Sequence, residues 1–119
     1  MLHHVGIEVT PAEIERSVEL WKLLGFERVE SPPTLREFTW LERKGTQIHL
    51  MPTESPTVPP RGHTAIVVVD FEGTLAGLAE AGFGVERRRE HWGVPRARVV
   101  GPGGHRVEFM AAAPTPRAP

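Results

Sequence analysis

The stretch His4-Val5-Gly6-Ile7-Glu8-Val9 alternates apolar and polar residues with a period of two, the pattern of a half-buried β-strand. Val5, Ile7 and Val9 share one face, while His4, Gly6 and Glu8 share the other. A related stretch, His63-Thr64-Ala65-Ile66-Val67-Val68, begins 59 residues later. Sliding the chain by that interval aligns His4–Met51 with His63–Met110 without a gap. Nine of the 48 aligned positions are identical, among them His4/His63, Ile7/Ile66, Val9/Val68, Gly25/Gly84 and Met51/Met110. Ordinary composition would give about three or four. The chain therefore reads as two copies of one unit.

Each copy reads as strand, helix and three strands, so the expected fold is α+β with two tandem βαβββ modules. In the first copy Thr10-Pro11-Ala12-Glu13 is a capping box with proline at the first helical position, where a missing N–H costs nothing. Ile14, Val18 and Trp21, widened by Leu20 and Leu24, form the apolar stripe of the helix, and Gly25 ends it. In the second copy Asp70 is the cap, with Phe71, Leu75 and Leu78 on one face. The modules are expected at 1–51 and 62–110 of a single domain, 1–110. Between them 52–61 holds four prolines and reads as a stiff linker, and 111–119 reads as a flexible tail.

Composition narrows the chemistry. At 119 residues and 39% hydrophobic content the chain can bury one core. The absence of cysteine excludes disulfides, thiolate metal sites and cysteine nucleophiles. Fourteen basic against 15 acidic residues give no general attraction to nucleic acid or an anionic membrane. No apolar run approaches the roughly 18 residues of a membrane span, and a cytoplasmic location is expected.

Strand alternation then selects four residues. If Val5, Ile7 and Val9, with Thr64, Ile66 and Val68, pack under the helices, His4 and His63 face the opposite side. In the closing strands Ile48/Leu50 and Val107/Phe109 go under the helices, which turns His49 and Glu108 to the side of His4 and His63. His4 to His49 and His63 to Glu108 are both intervals of 45 residues. Three imidazoles and a carboxylate suit a divalent transition metal, Zn, Ni, Co, Mn or Fe(II), better than Mg or Ca. Glu8, Gln47, Trp92, Arg96 and Arg98 are the candidate contacts to a small-molecule substrate. By alternation His3 is expected to point away, and the repeat sets Phe38 and Trp40 opposite Ala97 and Val99, on the face away from Arg96 and Arg98.

The opening H-V-G-I-E-V at His4, the G-H-T-A-I at Gly62 and the closing G-P-G-G-H-R-V-E-F ending at Phe109 together resemble the vicinal oxygen chelate superfamily. This group includes glyoxalase I, methylmalonyl-CoA epimerase, fosfomycin-resistance thiol transferases, extradiol dioxygenases and bleomycin-resistance proteins. The resemblance implies a cupped mixed β-sheet with helices on its convex face and a metal held at His4, His49, His63 and Glu108. It implies a metal-dependent lyase or isomerase of the glyoxalase type, acting on a small oxygen-chelating metabolite or thiol adduct, with Glu108 or His49 as base. Alternatives within the family are an extradiol dioxygenase, a thiol transferase, and a non-catalytic protein that sequesters a drug. A homodimer is expected, and the linker allows the site to form within one chain or between two.

Overall fold

The computed structural model describes all 119 residues. The first module runs β1 (His4–Val9), α1 (Ile14–Leu23), β2 (Glu27–Val29), β3 (Thr39–Arg43) and β4 (Thr46–Pro52). The second runs β5 (Thr64–Val67), α2 (Phe71–Glu80), β6 (Gly84–Arg88), β7 (Arg96–Val100) and β8 (Arg106–Met110). Each module makes a four-stranded mixed sheet, in the order β1-β4-β3-β2 and β5-β8-β7-β6. In each, the first and last strands are parallel neighbours, because the helix carries the chain across. The two sheets share no ladder, so the sheet expected as one is built as two halves.

Local chemistry explains the helices. The Glu13 carboxylate accepts a hydrogen bond from the Thr10 N–H at 2.9 Å, closing the capping box, and Pro11–Glu13 forms a 3-10 turn that feeds α1. Asp70 accepts from the Gly73 N–H at 3.0 Å and starts α2. Beneath the helices Val18, Leu20, Trp21 and Leu24 join Ile7, Val9, Leu41, Ile48 and Leu50. That cluster continues into Leu78, Ala97, Val99, Val107 and Phe109 of the second module.

Three contacts fasten the modules to one another. Arg16 of α1 donates to the Ala81 carbonyl at 2.7 Å, and its guanidinium lies 3.7 Å from the centre of the Phe83 ring. Leu20 packs so closely on Gly101 that a Cβ there would stand 2.8 Å from its methyl. His105 donates from Nε2 to the Glu8 carbonyl at 2.6 Å, so a histidine with no expected role ties the β7–β8 turn to β1.

The repeat is real, but its register is not constant. His49 and Glu108 are equivalent at an interval of 59, since β1 pairs β4 as β5 pairs β8. In the neighbouring strands Trp40 faces His49 across the ladder, and Arg98 faces Glu108, an interval of 58. At the helix ends the positive-φ glycines are Gly25 (97°) and Gly82 (87°), an interval of 57, so Gly84 is not the partner of Gly25. The turns account for the drift. Lys44 and Gly45, both at positive φ, form a two-residue hairpin, whereas Gly101–His105 uses five residues to join β7 and β8.

Candidate functional site

That drift changes what the first module presents. Trp40 lies on the face of His49, not on the face that Ala97 and Val99 occupy in the core, so the expected placement of Phe38 and Trp40 is corrected. The Trp40 and His49 rings stack with centroids 4.0 Å apart and planes within 2°. His4 stacks on the other side of His49, at 4.1 Å and 15°. His3, expected to point away, sits just before β1, where strand alternation does not yet apply. It turns its ring edge onto His4, with the two Nδ1 atoms 2.9 Å apart. The result is a layered slot of about 380 Å³ whose walls also include Leu35, Phe38 and Met51.

His49 is buried, at 7% exposure, and its Nε2 lies 2.7 Å from Gln47 Oε1. Gln47 in turn donates to Glu42 at 2.8 Å, which fixes the amide so that its oxygen faces the imidazole. Burial first, and then the neighbouring His4 and His3, push the His49 pKa below its ordinary value. At neutral pH the ring is uncharged. The indole Nε1 of Trp40 is buried in this module without a hydrogen-bond partner.

The second module presents the other half. His63 Nδ1 donates to the Arg61 carbonyl at 2.8 Å, which turns Nε2 toward Glu108. Nε2 lies 3.2 Å from Glu108 Oε2. A backbone carbonyl on one ring nitrogen is the arrangement that aims the other nitrogen at a cation. Arg96 donates from Nε to Glu108 Oε1 at 2.8 Å, and from its Nη1 to the Arg89 carbonyl at 2.6 Å. The hydrogen bond from Arg96 is the main reason the Glu108 pKa lies below the usual carboxylate value; His63 adds to it, against the opposing effect of burial.

His4 and His49 thus meet with Gln47, and His63 meets Glu108 with Arg96 beside it, but one chain does not gather three or more of these donors around a point where a metal could sit. His4 and His49 do not converge because their rings are stacked face to face, and an in-plane lone pair cannot point at a neighbour lying above the ring. The donor chemistry of the two halves fits a divalent ion; the placement within a single chain does not complete it.

The remaining candidates are dispersed. Glu8 accepts from the Thr57 N–H at 2.7 Å and lines the groove between the modules, opposite Thr64 and Val107. Arg98 stands beside Arg96 and pairs with Glu86 at 2.9 Å. Trp92 is in neither half-site: its indole donates to the Ala112 carbonyl at 2.8 Å and holds the start of the C-terminal tail. Trp40 and His3 are the residues that sequence reasoning missed. The repeated Gly25-Phe26 and Gly82-Phe83 pairs, 57 apart, were the signal that the register drifts.

Comparison with known proteins agrees with this architecture. A glyoxalase-family protein from Bacillus anthracis superposes with a TM-score of 0.80 at 25% identity, over 92% of this chain and 93% of that one. The oxidase ChaP-H2 gives 0.76 at 19% identity, over 96% and 94% of the two chains. TnmS3, an antibiotic binding protein from Streptomyces sp. CB03234, gives 0.70 at 19%, over 92% and 93%. At those identities the last two show the fold alone. No curated protein matches the chain. No helix is long and apolar enough to cross a membrane. The family model for these proteins matches residues 1–109, nearly the whole of the two modules: the chain belongs to the glyoxalase/bleomycin resistance protein/dioxygenase superfamily.

Proposed function

We propose that the protein is a metal-dependent lyase or isomerase of the glyoxalase type, acting on a small molecule with two adjacent oxygen atoms. Its site is completed when the His4–His49 half of one copy meets the His63–Glu108 half of a second. The observation that carries this reading is His63: its Nδ1 is fixed on a carbonyl, so its Nε2 and the Glu108 carboxylate present two donors side by side. A divalent ion held by His4, His49, His63 and Glu108 would polarise the substrate oxygens and acidify the neighbouring C–H. The chain supplies the rest. Glu108, held ionised by Arg96, would leave the ion to take the proton and return it to the adjacent carbon in an isomerisation, while Gln47 and the Trp40 ring hold His49 in place.

Metal titration of metal-free protein with Co(II) tests the proposal, with the cobalt absorption spectrum as readout. One ion per chain is expected, with affinity falling about tenfold or more in His49→Ala and Glu108→Gln. Wild-type protein that takes up no stoichiometric cobalt overturns it. A second reading, sequestration of a planar ligand without chemistry, is favoured by the slot beside the stacked rings and the unpartnered Trp40 Nε1. It predicts ligand binding that chelator leaves unchanged.

A further inference from the structure

The second half-site differs in character from the first. Next to His63 and Glu108 lies a cavity of about 180 Å³ with no hydrophobic residue in its walls. Five guanidinium groups surround it, from Arg61, Arg88, Arg96, Arg98 and Arg106. Two carboxylates answer them: Glu108 pairs with Arg96, and Glu86 bridges Arg88 and Arg98, each at 2.9 Å. The five positive charges exceed the two negative ones by three, and two of the arginines, Arg61 and Arg106, have no acidic partner. Arg106 donates to the Pro60 carbonyl, which holds its position but cancels no charge. Arg61 forms no ion pair, and Arg98 keeps a buried Nε–H without an acceptor.

We infer that this cavity is an oxyanion subsite, and that the substrate carries a carboxylate, phosphonate or phosphate group which Arg61, Arg98 and Arg106 receive. The inference rests on the reading of this face as the substrate cleft, and it adds the chemical class of the molecule bound there. Guanidinium groups match such anions in shape as well as charge, because paired N–H donors meet paired oxygens. Like charges crowded in a partly enclosed space repel one another, and an anion relieves that repulsion. The volume, room for about six waters, accepts one such group and little more. The group therefore acts as an anchor at one end of the molecule, with the reacting carbon toward His63 and Glu108. Glu86 orients the pair Arg88 and Arg98, and the Arg98 hydrogen bond is the main cause of its lowered pKa.

The probes are inorganic phosphate and oxalate, titrated calorimetrically into metal-free protein in chelator at constant ionic strength. Binding of either is expected, the two arms distinguishing a tetrahedral from a planar anion. Arg98→Gln should weaken it about tenfold and Arg61→Ala severalfold. Arg28→Ala, a surface arginine of the other module paired with Glu15, should leave it unchanged. Absence of binding by both anions overturns the inference, as does an equal loss in Arg28→Ala, which would mean diffuse attraction. Because metal is absent throughout, failure here leaves the cobalt titration standing, and failure of that titration leaves this result standing.

Discussion

His49 concentrates the energetic tension of the first module. A buried imidazole stacked between His4 and Trp40 resists protonation, so its pKa is lower in the folded than in the unfolded chain. The unfolded state therefore takes up the proton first as the solution is acidified, and the native state loses ground. Stability contributed by neutral His49 is complete above its unfolded pKa of about 6.5 and falls as the pH drops from there toward the lower native value. Urea denaturation of metal-free protein at pH 7.5 and 5.5 should show this loss, and His49→Phe should flatten it while keeping the stack on Trp40. Parallel behaviour of the two proteins would place the pH dependence elsewhere. The pairing of His4 with His49 and of His63 with Glu108 on one face of each sheet was legible in the sequence because alternation along a strand is local and strict. The stacking was not, because it depends on which residue of β3 lies opposite His49, and that is settled by the hairpin between them.

At the scale of elements, the drift of the repeat from 59 to 57 separates two glycines that a gapless alignment confuses. Gly82 ends α2 at a φ of 87°, a region that side chains avoid, whereas Gly84 opens β6 with no positive φ and open space where a Cβ would stand. Gly82→Ala should cost about 1 kcal/mol in chemical denaturation, while Gly84→Ala should be neutral or slightly stabilising in its strand. Equal costs would restore the constant register. The strands themselves were readable from period and punctuation: β4 and β8 bury Ile48/Leu50 and Val107/Phe109, as the alternation placed them. What the sequence hid was insertion and deletion inside the copies. The β7–β8 connection adds one residue between facing positions, ten from Arg98 to Glu108 against nine from Trp40 to His49, and with the shorter approach to α2 it leaves the ends of the module in step and its middle out of step.

For the whole molecule, α1 leaning on Gly101 and Phe83 fastens the two sheets together while leaving His4–His49 and His63–Glu108 in separate clefts. If two copies share their sites, each site takes its first half from one chain and its second from the other. Mixing His49→Ala with Glu108→Gln chains, after unfolding and refolding together, should then regenerate one intact site in every mixed dimer. Cobalt binding should recover to about a quarter of the wild-type level, since half of the dimers are mixed and each has one of its two sites intact. A mixture that binds no more than the separate variants would mean that each chain builds its site alone. Nothing in the sequence distinguished these outcomes, because a proline-rich linker of this length reaches a neighbouring module or a second chain equally well.

The exchange of Trp40 for Arg98 at matching places has a consequence for ancestry and for stereochemistry. A single ancestral module meeting its own copy would have enclosed a ligand between identical walls, and such a receptor cannot tell one end of a molecule from the other. Two copies within one chain leave each wall free to differ, and here one carries indole and imidazole, the other guanidinium. If the two halves meet as proposed, the cavity between them has a head and a tail, and a molecule entering it would be held in one direction only, as removal of a proton from one face of a carbon and its delivery to a chosen face of the next require.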